Sequence, residues 1–134
     1  MKNDEPSEIS GELQSIEIEI PIRTVSEANI SEHWTKKHKR KKQQQMYVFM
    51  YLRHIQEKIP LPCHIILTRI APRSLDEGDN LPMAFKKIRD VISSFLTGDT
   101  RPGLADSDER LTWAYNQEKG KPKQYGVRIT LEFS

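Results

Sequence analysis

CHIILTRIA, residues 63–71, is a nearly continuous apolar run, the pattern of a central strand covered on both faces. The rest of the chain arranges itself around it. Downstream, PRSLDEGD (72–79) reads as a loop set off by Pro72 and Gly78. A helix is expected from about Asn80, a good N-cap, with Pro82 tolerated in the first turn. Phe85, Ile88, Ile92, Phe95 and Leu96 carry it to Gly98, after which TGDTRPGLADSDE (97–109) forms a long loop. Leu111, Trp113 and Tyr115 then alternate with Thr112, Ala114 and Asn116. Tyr125, Val127, Ile129, Leu131 and Phe133 alternate with Gly126, Arg128, Thr130 and Glu132. Two runs of period two joined by EKGKPK (118–123) predict a hairpin, with Trp113 and Phe133 in the core.

Upstream, a helix is expected from Ser31, its N-cap ahead of Glu32, to about Lys58, where Pro60 stops it. Val48, Leu52, Ile55 and Ile59 fall at helical spacing with Tyr47 and Tyr51 beside them, so the second half packs. Trp34 is expected to anchor this helix to the sheet. Before it, Ile16, Ile18, Ile20 and Ile22 alternate with Glu17 and Glu19, which predicts a half-buried strand from Ser15 to Ile22. The order is β-α-β-α-β-β. It predicts a single α+β domain over residues 15–134, a mixed sheet flanked by two helices, preceded by a flexible acidic N-terminus over residues 1–14.

Composition narrows the function classes. With 134 residues the chain fits one domain that can bury a core without staples. No apolar run approaches the roughly 20 residues needed to span a bilayer, and MKNDEPSEISGEL lacks the order of a secretory signal. The one cysteine, Cys63, excludes an intramolecular disulfide and a cysteine-based zinc site. A cytoplasmic, reducing setting is expected. His33, His38, His54 and His64 show no paired metal spacing, and no phosphate-binding glycine loop supports a nucleotide cofactor. Charge is segregated: residues 1–30 carry seven acids and two bases, residues 31–58 eight bases and two acids. Six of the seven residues in Lys36-Lys37-His38-Lys39-Arg40-Lys41-Lys42 are Lys or Arg. Such a run suits sequence-independent, salt-sensitive contact with phosphates, although a solvated helix face is the common fate of such runs.

The acids gather in two loops. One contributes Asp76, Glu77 and Asp79 after the central strand, the other Asp99, Asp106, Asp108 and Glu109 before the last strand pair. If that pair joins the central strand, the loops can converge at one end of the sheet. Carboxylates are what magnesium takes, and acids beside a basic surface suit metal-assisted phosphodiester hydrolysis. Acids are also ordinary at helix N-termini, where the dipole favours them. In the second helix Asp79, Met83, Lys86 and Asp90 share a face, with Lys86 roughly 10 Å and Asp90 roughly 16 Å from Asp79. Asp90 is therefore expected to pair with Lys86 or Lys87 instead of sharing a metal with Asp79.

APRSLDEGDNLPMAFKKIRDVI (71–92) and GLADSDERLTWAYNQEKGKPKQYGVRITLEF (103–133) resemble the RusA-type Holliday junction endonucleases, especially their phage and prophage relatives. The resemblance covers roughly residues 60–133 and more loosely the first strand and basic helix. The family pattern is an acid, a second acid followed by Asn-Leu, a helix with a lysine, then an acid before a strand. It falls here on Asp76, Asp79-Asn80-Leu81, Lys86 and Asp106, with Asp108 two positions on as the alternative. The best-known members have one residue between the first two acids, where this chain has two, and a lysine closer to the Asp-Asn pair. The resemblance implies a magnesium-dependent endonuclease acting on branched DNA in recombination and repair, working as a homodimer. Asp76, Asp79 and Asp106 would be its metal ligands and Lys86 its assisting lysine; Lys36, Lys37, Lys39, Arg40, Lys41 and Lys42 would guide DNA. The other expectation is a non-catalytic DNA-binding protein that keeps the fold with a degenerate site.

Overall fold

Four strands form one mixed sheet whose centre is the apolar run. The computed structural model describes residues 13–24, 34–55, 59–75, 80–99, 101 and 104–134, with only the backbone of Trp34, Lys37 and Asn80. In chain order the elements are β1 (Gln14–Ile20), α1 (Trp34–Leu52), β2 (Cys63–Ala71), α2 (Asn80–Ala84), α3 (Lys86–Thr97), a 3-10 turn (Ala105–Ser107), β3 (Leu111–Lys119) and β4 (Gly126–Phe133). The β-α-β-α-β-β order and the α+β class are as the periodicities predict. The expected caps Ser31 and Asn80, the anchoring by Trp34, and residues 1–12 lie outside what is described.

The predicted hairpin does not form. Strand order across the sheet is β1-β4-β2-β3, so β2 is threaded between the two strands that EKGKPK connects. β2 runs parallel to β3, with Cys63 opposite Leu111 and Ala71 opposite Lys119. It runs antiparallel to β4, which in turn pairs antiparallel with β1. Residues 120–125 must therefore step across the end of β2, and Gly120 N–H donates to Ala71 O at 2.9 Å. A side chain at Gly120 would meet the Gln124 carbonyl oxygen at 2.9 Å, so the step fits only glycine. Alternation reveals that each segment is a strand, but not which strand lies beside it. The strand carrying the longest apolar run takes the centre because it has most to bury on two sides.

One core holds the domain together. Ile20, Ile65, Leu67, Val127, Ile129 and Leu131 of the sheet, Val48 and Leu52 of α1, and Phe85, Ile88 and Ile92 are all fully buried within it. Each such side chain contributes about 1.5–3 kcal/mol relative to exposure. The opposite face of β2 is less covered than the run suggests: His64 and Ile66 are half-buried, whereas Thr68 and Ile70 are buried. That face carries polar ladders instead. Arg128 bonds Glu118 at 2.7 Å and Glu19 at 3.3 Å, and the His64 ring bonds the Thr112 hydroxyl at 2.7 Å.

Both helices end or break where the sequence reads straight through. α1 stops at Leu52 instead of Lys58, closing with Ile55 N–H on Leu52 O at 2.9 Å. The second helix is two helices. Phe85 (φ −100°, ψ 0°) interrupts it, and its N–H turns back to Pro82 O at 3.1 Å. The break sets the Phe85 ring against Tyr115, centroids 5.7 Å apart, without exposing Ile88.

Candidate active site

The edge strand β3 builds the site from its core-facing side. Trp113, Tyr115 and Gln117 alternate on that face, and each holds a different segment. The Gln117 amide grips Leu75 twice, accepting its N–H at 2.7 Å and donating to its carbonyl at 2.8 Å. That fixes the backbone just before Asp76. Tyr115 stacks on Phe85 and accepts a hydrogen bond from Arg89 at 2.5 Å. Trp113 lies under the Arg89 guanidinium, 4.7 Å from ring centre to Cζ.

Arg89 in turn holds the acid loop. Its Nη2 donates to the Asp106 carbonyl at 3.2 Å. Its Nε sits 3.3 Å from Asp106 Oδ2, close enough for an ion pair but too poorly aligned for a hydrogen bond. Parallel pairing makes the chain leave β2 and enter β3 at opposite ends of these strands, so strand ends alone do not bring Asp106 to the helix. The 104–108 segment instead folds along α3, and its 3-10 turn brings Asp106 to the first turn and a half of that helix.

There Asp106 meets two residues of the helix. Lys86, Asp90 and Asp106 line one open cleft between α1 and α3, together with Met46, Phe49 and Arg101. Lys86 is exposed. Asp90 pairs with Lys87 at 3.9 Å, one of the two intrahelical partners its spacing predicts. Burial pushes the Asp90 carboxyl above its ordinary range, Lys87 opposes that, and the nearby Asp106 charge adds to it. Asp90 thus belongs to the same cleft as Asp106, although spacing from Asp79 sets it apart.

Asp108 has a different task. It receives a fork from Arg110, 2.8 Å at the tighter arm, which lowers its carboxyl to about 2. Asp99 is held the same way by Arg101 and also falls to about 2. Between the two open choices before β3, Asp106 is the one that faces the cleft. Asp76 and Asp79 lie outside the described residues, and among the described residues no three of His, Cys, Asp and Glu are grouped to hold a metal. Asp106 and Asp90 are oxygen donors of the kind magnesium accepts, so the donor chemistry present fits that ion as far as two carboxylates go.

The basic run occupies the first half of α1. Lys36, Lys39 and Lys42 are exposed, Arg40 and Lys41 half-buried, and the Lys37 side chain is not described. Three residues on, Gln45, Met46 and Phe49 form the α1 wall of the cleft. Like charges at i+3 and i+4 along a helix repel one another, so helix stability does not account for them. Cys63 is buried and burial pushes its thiol up to about 11, which leaves it unreactive. Among the described residues no helix is long and apolar enough to cross a membrane.

Arg89, Tyr115 and Gln117 are the site residues that the sequence conceals. The available signal was compositional: β4 fills its inner face with Val, Ile, Leu and Phe, whereas β3 puts a Trp, a Tyr and a Gln on the same side. A scan against protein-family models finds no match for the chain, and no curated protein matches it.

Proposed function

We propose that the chain is a magnesium-dependent, structure-selective endonuclease of the RusA type, acting in the cytoplasm on branched DNA, with four-way junctions as its substrate. The observation that carries this reading is the meeting of Asp106, Asp90 and Lys86 in one cleft at the end of a cation-bearing helix. Asp76, Asp79 and Asp106 would hold the metal. Magnesium, when bound, supplies positive charge at the scissile phosphate and acidifies a coordinated water. Lys86 would steady charge developing on the phosphate oxygens. Arg89 keeps Asp106 against α3, and the Gln117 grip on Leu75 fixes the approach of the chain to Asp76. Lys36 to Lys42 would track duplex arms through phosphate contacts. Two symmetric cuts at a two-fold junction call for a homodimer.

One observation favours the non-catalytic alternative. Asp106 is already engaged by Arg89, as a structural acid would be. Labelled four-way junction, fork and duplex, each with and without magnesium, separate the two. Junction cleavage that needs magnesium and falls at least about 100-fold in Asp79→Asn is expected, since even outer-shell partners of a metal cost 10–100-fold. Binding of junction DNA without cleavage under any of these conditions would establish the alternative.

A further inference from the structure

We infer that the cleft between α1 and α3 seats an unstacked nucleotide of the bound DNA, with its base against Phe49 and Met46 and its phosphate toward Lys86. The inference rests on the DNA-binding part of the proposed function and not on its chemistry.

The cleft has a volume of about 1050 Å³, just above the roughly 300–1,000 Å³ typical of small-molecule sites. One wall is apolar in a way the core does not explain. Val48 and Leu52 bury α1 against the sheet, yet Met46 is 63% and Phe49 51% exposed on the side that faces α3. Val91 and Phe95 of α3 add half-buried apolar surface opposite them. A flat, exposed ring above an apolar floor is the platform on which bases stack, whatever their identity.

The rim decides the occupant. Lys87 pairs there with Asp90 and Arg101 with Asp99, and Asp106 is matched from behind by Arg89, which leaves Lys86, among the described rim residues, outside these pairs. A nucleotide brings an anion and an apolar face together. The cleft also continues directly from the basic run, so DNA tracked along Lys36–Lys42 arrives at Phe49 within two helical turns. Junctions, forks and gaps supply the unpaired or weakly stacked bases that can enter; intact duplex does not.

The test uses the full chain and fluorescently labelled forks whose single-stranded arm carries either normal bases or abasic sites next to the branch. The normal fork is expected to bind about tenfold more tightly than its abasic counterpart, the scale of one stacked base. Phe49→Ala is expected to erase that preference and Phe49→Trp to restore it. Because Phe49 is half exposed, the alanine variant keeps its fold, which its unfolding temperature checks. Equal affinity for the two forks in the unaltered protein, or an undiminished preference in Phe49→Ala, overturns the inference while leaving the nuclease reading standing. If Phe49→Ala instead converts a sedimenting dimer to monomer with the preference intact, the face joins two copies and the inference is wrong. Failure to bind any fork at low salt removes both readings.

Discussion

Arg89 touches four groups at once: the Asp106 carboxylate and carbonyl, the Tyr115 hydroxyl and the Trp113 ring. Removing it leaves polar groups in partly buried surroundings without their partner, the expensive way to lose a hydrogen bond. Arg89→Ala is expected to cost about 2 kcal/mol and to speed amide exchange at residues 104–108. Arg89→Lys keeps the charge but not the planar fork, so it should land between the two. Denaturant unfolding and hydrogen exchange measure both effects. An alanine variant as stable as the parent would mean that Arg89 is merely adjacent to Asp106. Nothing in KKIRD announces this role, because the partners of Arg89 lie 17 and 26 residues further along the chain. Asp90 was more legible. Helical spacing offers it Lys86 or Lys87, of which Lys87 is the partner, but spacing within one helix carries no information about Asp106, which arrives from a loop.

Among the elements, α1 stops at Leu52, short of the expected Lys58, yet it is where charge makes its clearest demand. A helix with an apolar second half and a basic first half is visible in the order of residues alone. Its cations repel one another at i+3 and i+4 spacing, and Lys36, Lys39 and Lys42 are exposed. Replacing these three by Gln is expected to leave the unfolding temperature unchanged. It should weaken binding to all DNA forms alike and lower the slope of log affinity against log salt by about 3, near 0.9 per phosphate contact. An unchanged slope would assign the run to solubility. The second helix was less legible. Phe85, Ile88 and Ile92 keep an apolar rhythm that passes unbroken through an interruption at Phe85. Periodicity reports which residues are buried; the break reflects how one ring docks on Tyr115, a contact across 30 positions of chain.

At the scale of the whole molecule, class and element order follow from periodicity, while neighbour relations do not. The run 63–71 identifies the centre of the sheet. That it separates β3 from β4 depends on a six-residue step, Gly120 to Tyr125, which local turn rules read as a hairpin. The two acid loops are expected to converge if the last strand pair joins the central strand; Asp76 and Asp79 lie outside the described residues, so only the Asp106 side of that meeting is described. Parallel pairing of β2 and β3 requires the second loop to fold along α3 for Asp106 to reach the helix.

The threading of β2 makes β4 the clasp of the sheet, since β1 is joined to the other strands through β4 alone among the described residues. Its inner residues Val127, Ile129, Leu131 and Phe133 are all buried. Cutting the chain in the exposed 121–124 step therefore divides it into a long piece missing its clasp and a short peptide that is little else. Residues 1–120 are expected to lack cooperative unfolding by circular dichroism alone, and to regain it when a peptide of residues 121–134 is added in excess. The same relation makes this protein a natural two-part reporter: it assembles only when its last strand is supplied, from the same chain or from another.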